Sequence, residues 1–312
     1  MSTMTIAPHA PARGVTQAPH PCCVWCGGPA QPVGSRLAVC AACGAASTYP
    51  PPDEQELLAA YARWYRPAGG RFAGCGDGLL RRSRATLAGR LDRLAPPGPV
   101  LDVGCGDGAL LDALHARGRA ACGLERTATR PDVRASELTA FEERAGEWAA
   151  IAFWHSLEHL RQPAAALDRA CMLLAPRGLL VVAMPNWASW QARTLGERWL
   201  ALDLPRHLVH LPASALIGGL RERGLEIGRV SYWRGGQVVF GWLHGLVGRL
   251  PGHPDLYDAI RQPDARQAQL GSGARLATLG AGVALAPAAF ALAAAEVAAR
   301  TSGTVYVEAW RP

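Results

Sequence analysis

The stretch Val100-Leu-Asp-Val-Gly104-Cys-Gly106-Asp-Gly108 constrains this chain more than any other. A short, mostly apolar run leads straight into three alternate glycines, and apolar residues at helical spacing follow from Ala109. The run predicts a buried strand and the periodic segment a helix. The glycines between them predict a turn where the main chain can adopt unusual dihedrals and come close to a ligand. A strand, glycine loop and helix in this order open a doubly wound α/β domain. The pentapeptide Gly-Cys-Gly-Asp-Gly also occurs at 74–78, where it follows Gly69-Gly-Arg-Phe-Ala73. Those residues make a poor strand, so the first copy reads as a loop without a site.

Beyond Gly108 the pattern alternates. Strands are expected at 100–103, 120–124, near Val133, at 149–154, 179–184 and 225–232, with helices at 109–117, 164–174 and 213–223. The closing Thr304-Val-Tyr-Val-Glu-Ala-Trp310 alternates apolar and polar residues as a half-exposed strand does. It would complete a seven-stranded sheet after a long insertion at 235–303. Glu125 falls at the end of the second strand, where a carboxylate can accept both hydroxyls of a ribose. These features suit NAD and S-adenosylmethionine alike. The dinucleotide form, however, spaces its glycines Gly-x-Gly-x-x-Gly, and here the third comes one residue early, at Gly108.

Two matched pairs, Cys23-Val-Trp-Cys26 and Cys40-Ala-Ala-Cys43, stand 13 residues apart, each followed by a glycine. Two Cys-x-x-Cys turns bring four thiolates around one tetrahedral zinc. Ordinary buried cysteines or a redox pair are the alternatives, but a redox motif belongs to one pair at a helix start. Cys22 reads as a bystander that can compete with Cys23. The nine cysteines and the lack of a secretory pattern at the start point to a reducing, cytoplasmic location, with membrane association left open.

The net charge of +7 rests on arginine alone, since the chain has no lysine. That is the mark of codon bias, so it says little for a nucleic-acid partner. The expected organisation is a disordered tail (1–20), a zinc ribbon (21–50), leading helices (51–98, with helices at 54–64 and 79–94), a core (99–234), an apolar helical insertion (235–303) and a final strand (304–312). Residues 276–295 carry no charge and are long enough to span a bilayer. They contain Pro287 and are mostly alanine, which disfavours a lone transmembrane helix. An apolar cap over a greasy acceptor, a dimer contact or a membrane-surface contact is expected instead.

Five segments together resemble a known family: Asp102-x-Gly104-x-Gly106-x-Gly108, Phe153-Trp-His-Ser-Leu-Glu-His159, Leu173-Leu-Ala-Pro-Arg-Gly178, Met184-Pro-Asn186 and Trp199-x-x-Leu-Asp203-x-Pro-Arg-His207. They look like the Rossmann-like (class I) S-adenosylmethionine-dependent methyltransferases. Within these they resemble a bacterial subgroup related to the ubiquinone-biosynthesis O-methyltransferases, many of which carry a Cys-x-x-Cys ribbon in front. The likeness covers about 23–232 and the last strand. It implies that Asp102, Gly104, Gly106 and Gly108 hold the methionine moiety and Glu125 the ribose. Glu137, in a loosely aligned stretch, would meet the adenine, and Trp154 is counted with the cofactor residues.

Methyl transfer from a sulfonium is an in-line displacement, so such an enzyme aligns donor and acceptor and, for a hydroxyl, removes a proton. His155, Glu158 and His159 follow the strand at 149–154 and are the candidate catalytic residues, with His159 as base or metal ligand. The alternative is that Glu158 and His159 only cap the next turn. Relatives carry Glu-x-x-Glu-His, which can bind a divalent metal, and His155 here replaces the first Glu. A divalent ion at the acceptor site therefore stays open, and His207 and His210 can bind an acceptor or complete a ligand set.

The resemblance implies a small or lipid-linked acceptor, with O-methylation favoured, in cofactor, natural-product or envelope glycan biosynthesis. Two rivals remain. One is an RNA methyltransferase gripping substrate with its ribbon, although Arg36 is the only cation between Cys23 and Cys43. The other is a non-enzymatic ligand-binding module on the same fold. Nucleic acid is not expected as a partner, and a homodimer through 235–303 is the other contact left open.

Overall fold

A computed structural model of the chain describes residues 21–62, 70–74, 76–128, 130–266 and 270–312. The tail expected at 1–20 lies outside them. Three short antiparallel strands, β1 (Ala30–Val33), β2 (Leu37–Cys40) and β3 (Ala46–Thr48), carry the cysteine pairs at their ends. Helix α1 (Glu54–Ala62) starts where the Glu56 amide donates to Asp53 Oδ1 (2.7 Å) and the Asp53 amide to Glu56 Oε2 (3.2 Å). This reciprocal cap satisfies two amides left open at a helix start. Trp64, where this helix was expected to end, is outside the described residues.

Helix α2 runs over Gly76–Leu94, so the loop reading of 74–78 needs correction: Gly76, Asp77 and Gly78 form its first turn. Asp77 Oδ2 accepts the amides of Arg71 (2.9 Å) and Phe72 (3.2 Å), closing the preceding chain onto the helix start. A carboxylate in a first turn is favourable, whereas glycines carry no apolar periodicity by which the turn would have been recognised.

The core follows as β4 (Val100–Val103), α3 (Ala109–His115), β5 (Ala121–Glu125), β6 (Val133–Ala135), β7 (Trp148–Trp154), α4 (Pro163–Leu173), β8 (Leu174–Pro185), α5 (Trp190–Leu195), β9 (Val209–His210), α6 (Ala213–Glu222) and β10 (Glu226–Ser231). After β10 come α7 (Gly236–Val247), α8 (Leu256–Ala259), α9 (Ser272–Ala298) and β11 (Thr304–Trp310). The main sheet has the order β10-β11-β8-β7-β4-β5-β6, parallel except for β11, which runs antiparallel to both neighbours. It is the Rossmann-like doubly wound sheet of seven strands.

All seven residues of β7 are buried, as a parallel strand covered on both faces requires. Leu87, Leu91, Leu110 and Leu114 of α2 and α3 cover one face, and Leu167, Leu173, Leu216 and Leu220 of α4 and α6 cover the other. From β4 the chain passes to β5 on one side and later returns as β7 on the other. That reversal opens a crevice at the carboxyl ends of β4 and β7, the place where such sheets take ligands.

The insertion between β10 and β11 is helical. Val238 and Trp242 of α7 pack on Ala289 and Ala293 of α9. Glu296 of α9 is fully buried and accepts the Gln191 amide (2.9 Å), Gln191 Nε2 (3.0 Å) and Trp242 Nε1 (2.9 Å). This carboxylate ties α9 to α5 and α7. Among the described residues α9 is the one helix long and apolar enough to cross a membrane, and 22 % of its most apolar stretch is buried. Leu276, Val283 and Phe290 point outward. Glu296→Ala leaves three donors unpaired and should lower stability by about 3 kcal/mol, read as a shifted denaturant midpoint.

Candidate functional site

Gly104, Gly106 and Gly108 all take left-handed backbone angles, with φ of 75°, 63° and 75°. A Cβ on Gly104 would lie 2.5 Å from Ser156 Cβ, and one on Gly108 would lie 2.6 Å from the Arg130 guanidinium. The loop is thus closed to side chains on the protein side as well as shaped for close approach. The amides of Gly104 and Cys105 both donate to Leu124 O, at 2.8 and 3.1 Å, anchoring the loop to β5. Glu125, the last residue of β5, accepts the Gly106 amide through Oε2 at 2.9 Å. The carboxylate and the glycine loop, 19 residues apart, are therefore in direct contact.

Asp102 is buried on β4, two residues ahead of the first glycine. Against Gly104, Ser156 Oγ is buried and, among the described residues, without a hydrogen-bond partner. This set fits the adenosyl cofactor expected from the sequence. Glu137 is exposed, two residues beyond the Glu125–Ala135 pair, at the same carboxyl edge. Trp154 ends β7 with its ring against Tyr306 (6.3 Å between centroids) and with the Arg234 guanidinium 4.0 Å above it.

The catalytic candidates cluster where β7 ends. His155 has φ 54°, rare for a residue with a side chain, and such strain collects at functional sites. The 3-10 turn Leu157–His159 follows. Glu158 is 1 % exposed and neither carboxylate oxygen accepts a hydrogen bond of ordinary geometry; His155 Nδ1 lies 3.4 Å from Oε1. His159 Nδ1 donates to Arg206 O (2.9 Å), with the Tyr61 hydroxyl 3.1 Å away, and His207 Nδ1 donates to Ala201 O (2.8 Å). With its Nδ1 proton so engaged, a neutral His159 carries its lone pair on Nε2, while His207 Nε2 lies 3.7 Å from Asp203 Oδ2.

One ligand atom each from Glu158, His159 and His207 lie within 4.8 Å of one another. His207 and His210 thus join the Glu158 cluster, with the His159 and His207 ring centroids 4.6 Å apart and those of His207 and His210 6.3 Å apart. Burial opposes the charge on Glu158, but the imidazoles of His155, His207 and His159 outweigh it and hold its carboxyl at about 2. Burial and neighbouring His207 push His159 down to about 4, and burial pushes His210 to about 3. At neutral pH burial keeps His159 and His210 uncharged beside the Glu158 carboxylate.

The four ribbon cysteines also converge. Cys23 Sγ is 3.6 Å from Cys43 Sγ and Cys26 Sγ is 3.6 Å from Cys40 Sγ, with all four sulfurs within 4.8 Å. Sulfurs around a tetrahedral zinc stand roughly 3.8 Å apart, so these residues fit that ion. Burial raises the Cys40 thiol, but amide hydrogen bonds from Cys43 and Ala42 prevail and bring it to about 7, suited to a thiolate ligand. Cys22 lies outside the cluster.

Several participants were not singled out from the sequence. Ser156 lies within the Trp-His-Ser motif and was open to recognition. Tyr61 beside His159, Trp25 of the ribbon under Arg223, and Thr48 against His207 O had no local signal.

A family model described as a methyltransferase domain matches residues 74–230. That span covers α2 through most of β10 and leaves out the ribbon, the helical insertion and β11. Two proteins named ubiquinone biosynthesis O-methyltransferase are similar to the chain. The one from Xanthomonas axonopodis pv. citri (strain 306) is 27% identical over 161 residues, 45% of this chain and 67% of that protein. The one from Xanthomonas campestris pv. campestris (strain B100) is 28% identical over 181 residues, 50% of this chain and 76% of that protein. Among solved structures, geranyl diphosphate C-methyltransferase from Streptomyces coelicolor A3(2) aligns with a TM-score of 0.46 at 15% identity, over 75% of this chain and 81% of that one.

Proposed function

Since the chain belongs to the methyltransferase-domain family of class I S-adenosylmethionine-dependent enzymes, we propose that it methylates an oxygen of a small or lipid-linked acceptor held against Glu158, His159 and His207. The observation that carries this reading is the Glu158 carboxylate, buried and, among the described residues, without an ordinary hydrogen bond, with one ligand atom each of His159 and His207 within 4.8 Å. A buried charge left so exposed to its own desolvation calls for a cation or an acidic proton as partner.

The division of labour follows from the positions of the side chains. S-adenosylmethionine supplies an electrophilic methyl group. Asp102, the glycine loop and Glu125 hold and orient it at the ends of β4 and β5, with Glu137 and Trp154 at the rim. His155, Glu158 and His159 meet the acceptor hydroxyl at the end of β7. His159, lowered to about 4, is a weak proton acceptor near neutral pH but a good lone-pair donor. We therefore assign Glu158, His159 and His207 as ligands of a divalent ion, which would make an acceptor hydroxyl more acidic. The names of the two Xanthomonas relatives favour oxygen as the atom attacked.

The apolar outer face of α9 suits a greasy acceptor, a membrane surface or a second copy of the chain in the cytoplasm. A test uses methyl-labelled cofactor with extracts of a strain lacking the gene. Label in an alkali-stable ether of the organic-soluble fraction is expected; label in RNA would replace this reading with nucleic-acid methylation.

We assign one structural zinc per chain to Cys23, Cys26, Cys40 and Cys43. Elemental analysis should find one equivalent, and Cys40→Ser should lose it. A folded, metal-free preparation unchanged by added zinc would remove the assignment.

A further inference from the structure

We propose that the cysteine ribbon serves the acceptor side of the active centre: Thr48 on its third strand holds the main chain of 207–210 and so sets His207 and His210 against Glu158. The proposal rests on the functional reading above only in taking this cluster as the place where the acceptor lies.

Strand β9 pairs with the ribbon, not with the main sheet, through Ala46 opposite His210 and Ser47 opposite Val209. Thr48 extends the pairing by two further bonds. Its amide donates to Leu208 O at 3.0 Å, and its hydroxyl donates to His207 O at 2.5 Å. Thr48, His207 and Leu208 are all buried, so the loss of either bond is poorly made good by water. On the other edge of the same segment, the Leu208 amide donates to Glu158 O at 2.7 Å. Three segments, 46–48, 207–210 and 157–159, are thus stitched side by side by main-chain bonds, and the middle one carries both histidines.

The cysteines lie a short step behind. β3 pairs with β2, which ends at Cys40, and the Cys40 amide donates to Ala45 O at 2.9 Å. Without four thiolates drawn to one ion, the knuckle that sets the register of β3 has little apolar core of its own to hold it. The ribbon is also clamped to the core elsewhere. A Cβ on Gly219 of α6 would lie 2.4 Å from the Trp25 ring, and one on Gly44 would lie 3.4 Å from Pro212. A module hung out to grip a macromolecule would keep its strand edge and its aromatic free. Here β9 takes the edge of β3 and α6 takes Trp25.

The test uses the full chain with 15N-labelled histidine imidazoles. Thr48→Val should keep the ribbon's zinc and keep cofactor affinity within about twofold, yet move the His207 and His210 signals. The signals of His115 and His253, both exposed and away from this segment, should stay in place. Thr48→Ser restores the hydroxyl and should return the wild-type spectrum, which general loosening of the fold would not explain. Cys40→Ser should produce the same selective shift on losing its metal. Once an acceptor is in hand, Thr48→Val should lower kcat about tenfold with the cofactor KM unchanged.

A folded Thr48→Val chain with His207 and His210 signals at their wild-type positions would overturn the proposal. So would a metal-free Cys40→Ser chain with the same result, and that measurement decides alone if Thr48→Val does not fold. Moved histidine signals with an unchanged transfer rate would sink the acceptor reading and leave the positioning role standing.

Discussion

Gly106→Arg should abolish S-adenosylmethionine binding in a chain that still folds. Gly106 has φ 63° and donates its amide to Glu125 Oε2, so it sits where the loop meets the carboxylate proposed to hold the ribose. An L-residue there carries roughly 1–2 kcal/mol of left-handed strain, which the buried seven-stranded sheet can absorb. In the proposed site, an arginine side chain on this loop takes space that the cofactor needs. Calorimetry should show affinity reduced on the order of 100-fold or more, equal to about 2.7 kcal/mol, with the circular dichroism spectrum retained. Undiminished affinity would mean that the cofactor lies elsewhere.

His159→Ala should leave that affinity intact and lower the rate of methyl transfer by ~10²-fold or more, the scale expected when a group serving only the transition state is removed. Glu158→Gln should fail in the same way, because an amide replaces the one carboxylate that the imidazoles of His155, His159 and His207 surround. Chelators separate two modes of action. Loss of activity on chelation, restored by a divalent ion, fits the ligand set; activity indifferent to chelation would make His159 a proton acceptor instead. Wild-type rates in both variants would leave catalysis to positioning alone and reduce these residues to a turn cap.

Much of the glycine loop and its contact with Glu125 was legible because the signals are local. A strand, three glycines and a helix occupy consecutive residues, and Glu125 follows at the distance that one helix and one strand impose. The cysteine pairs were legible for the same reason, since each Cys-x-x-Cys is a single turn. Where local reading failed, a residue lacked the property being read. The first turn of α2 is built on Gly76 and Gly78, which give no apolar period, and β8 begins at Leu174 rather than near 179 because its early residues do not alternate. In the sequence Glu296 is the first charge after the apolar stretch 276–295, and only packing shows it buried under Gln191 and Trp242.

By itself the sequence determined the class of sheet, the glycine loop between β4 and α3, the cysteine cluster and the family resemblance, since each is carried by side-chain identity at short spacing. Tertiary structure alone decided what surrounds Glu158. His159 and Arg206 are 47 residues apart, and Thr48 and His207 are 159 apart. Each pair meets through one side-chain donor, the His159 imidazole or the Thr48 hydroxyl, and one main-chain carbonyl, an acceptor that every residue offers alike. An acceptor that all residues share leaves no trace in the order of side chains, so nothing in the sequence pairs the Thr48 hydroxyl with His207, and the link from ribbon to histidines emerges only when the chain is folded.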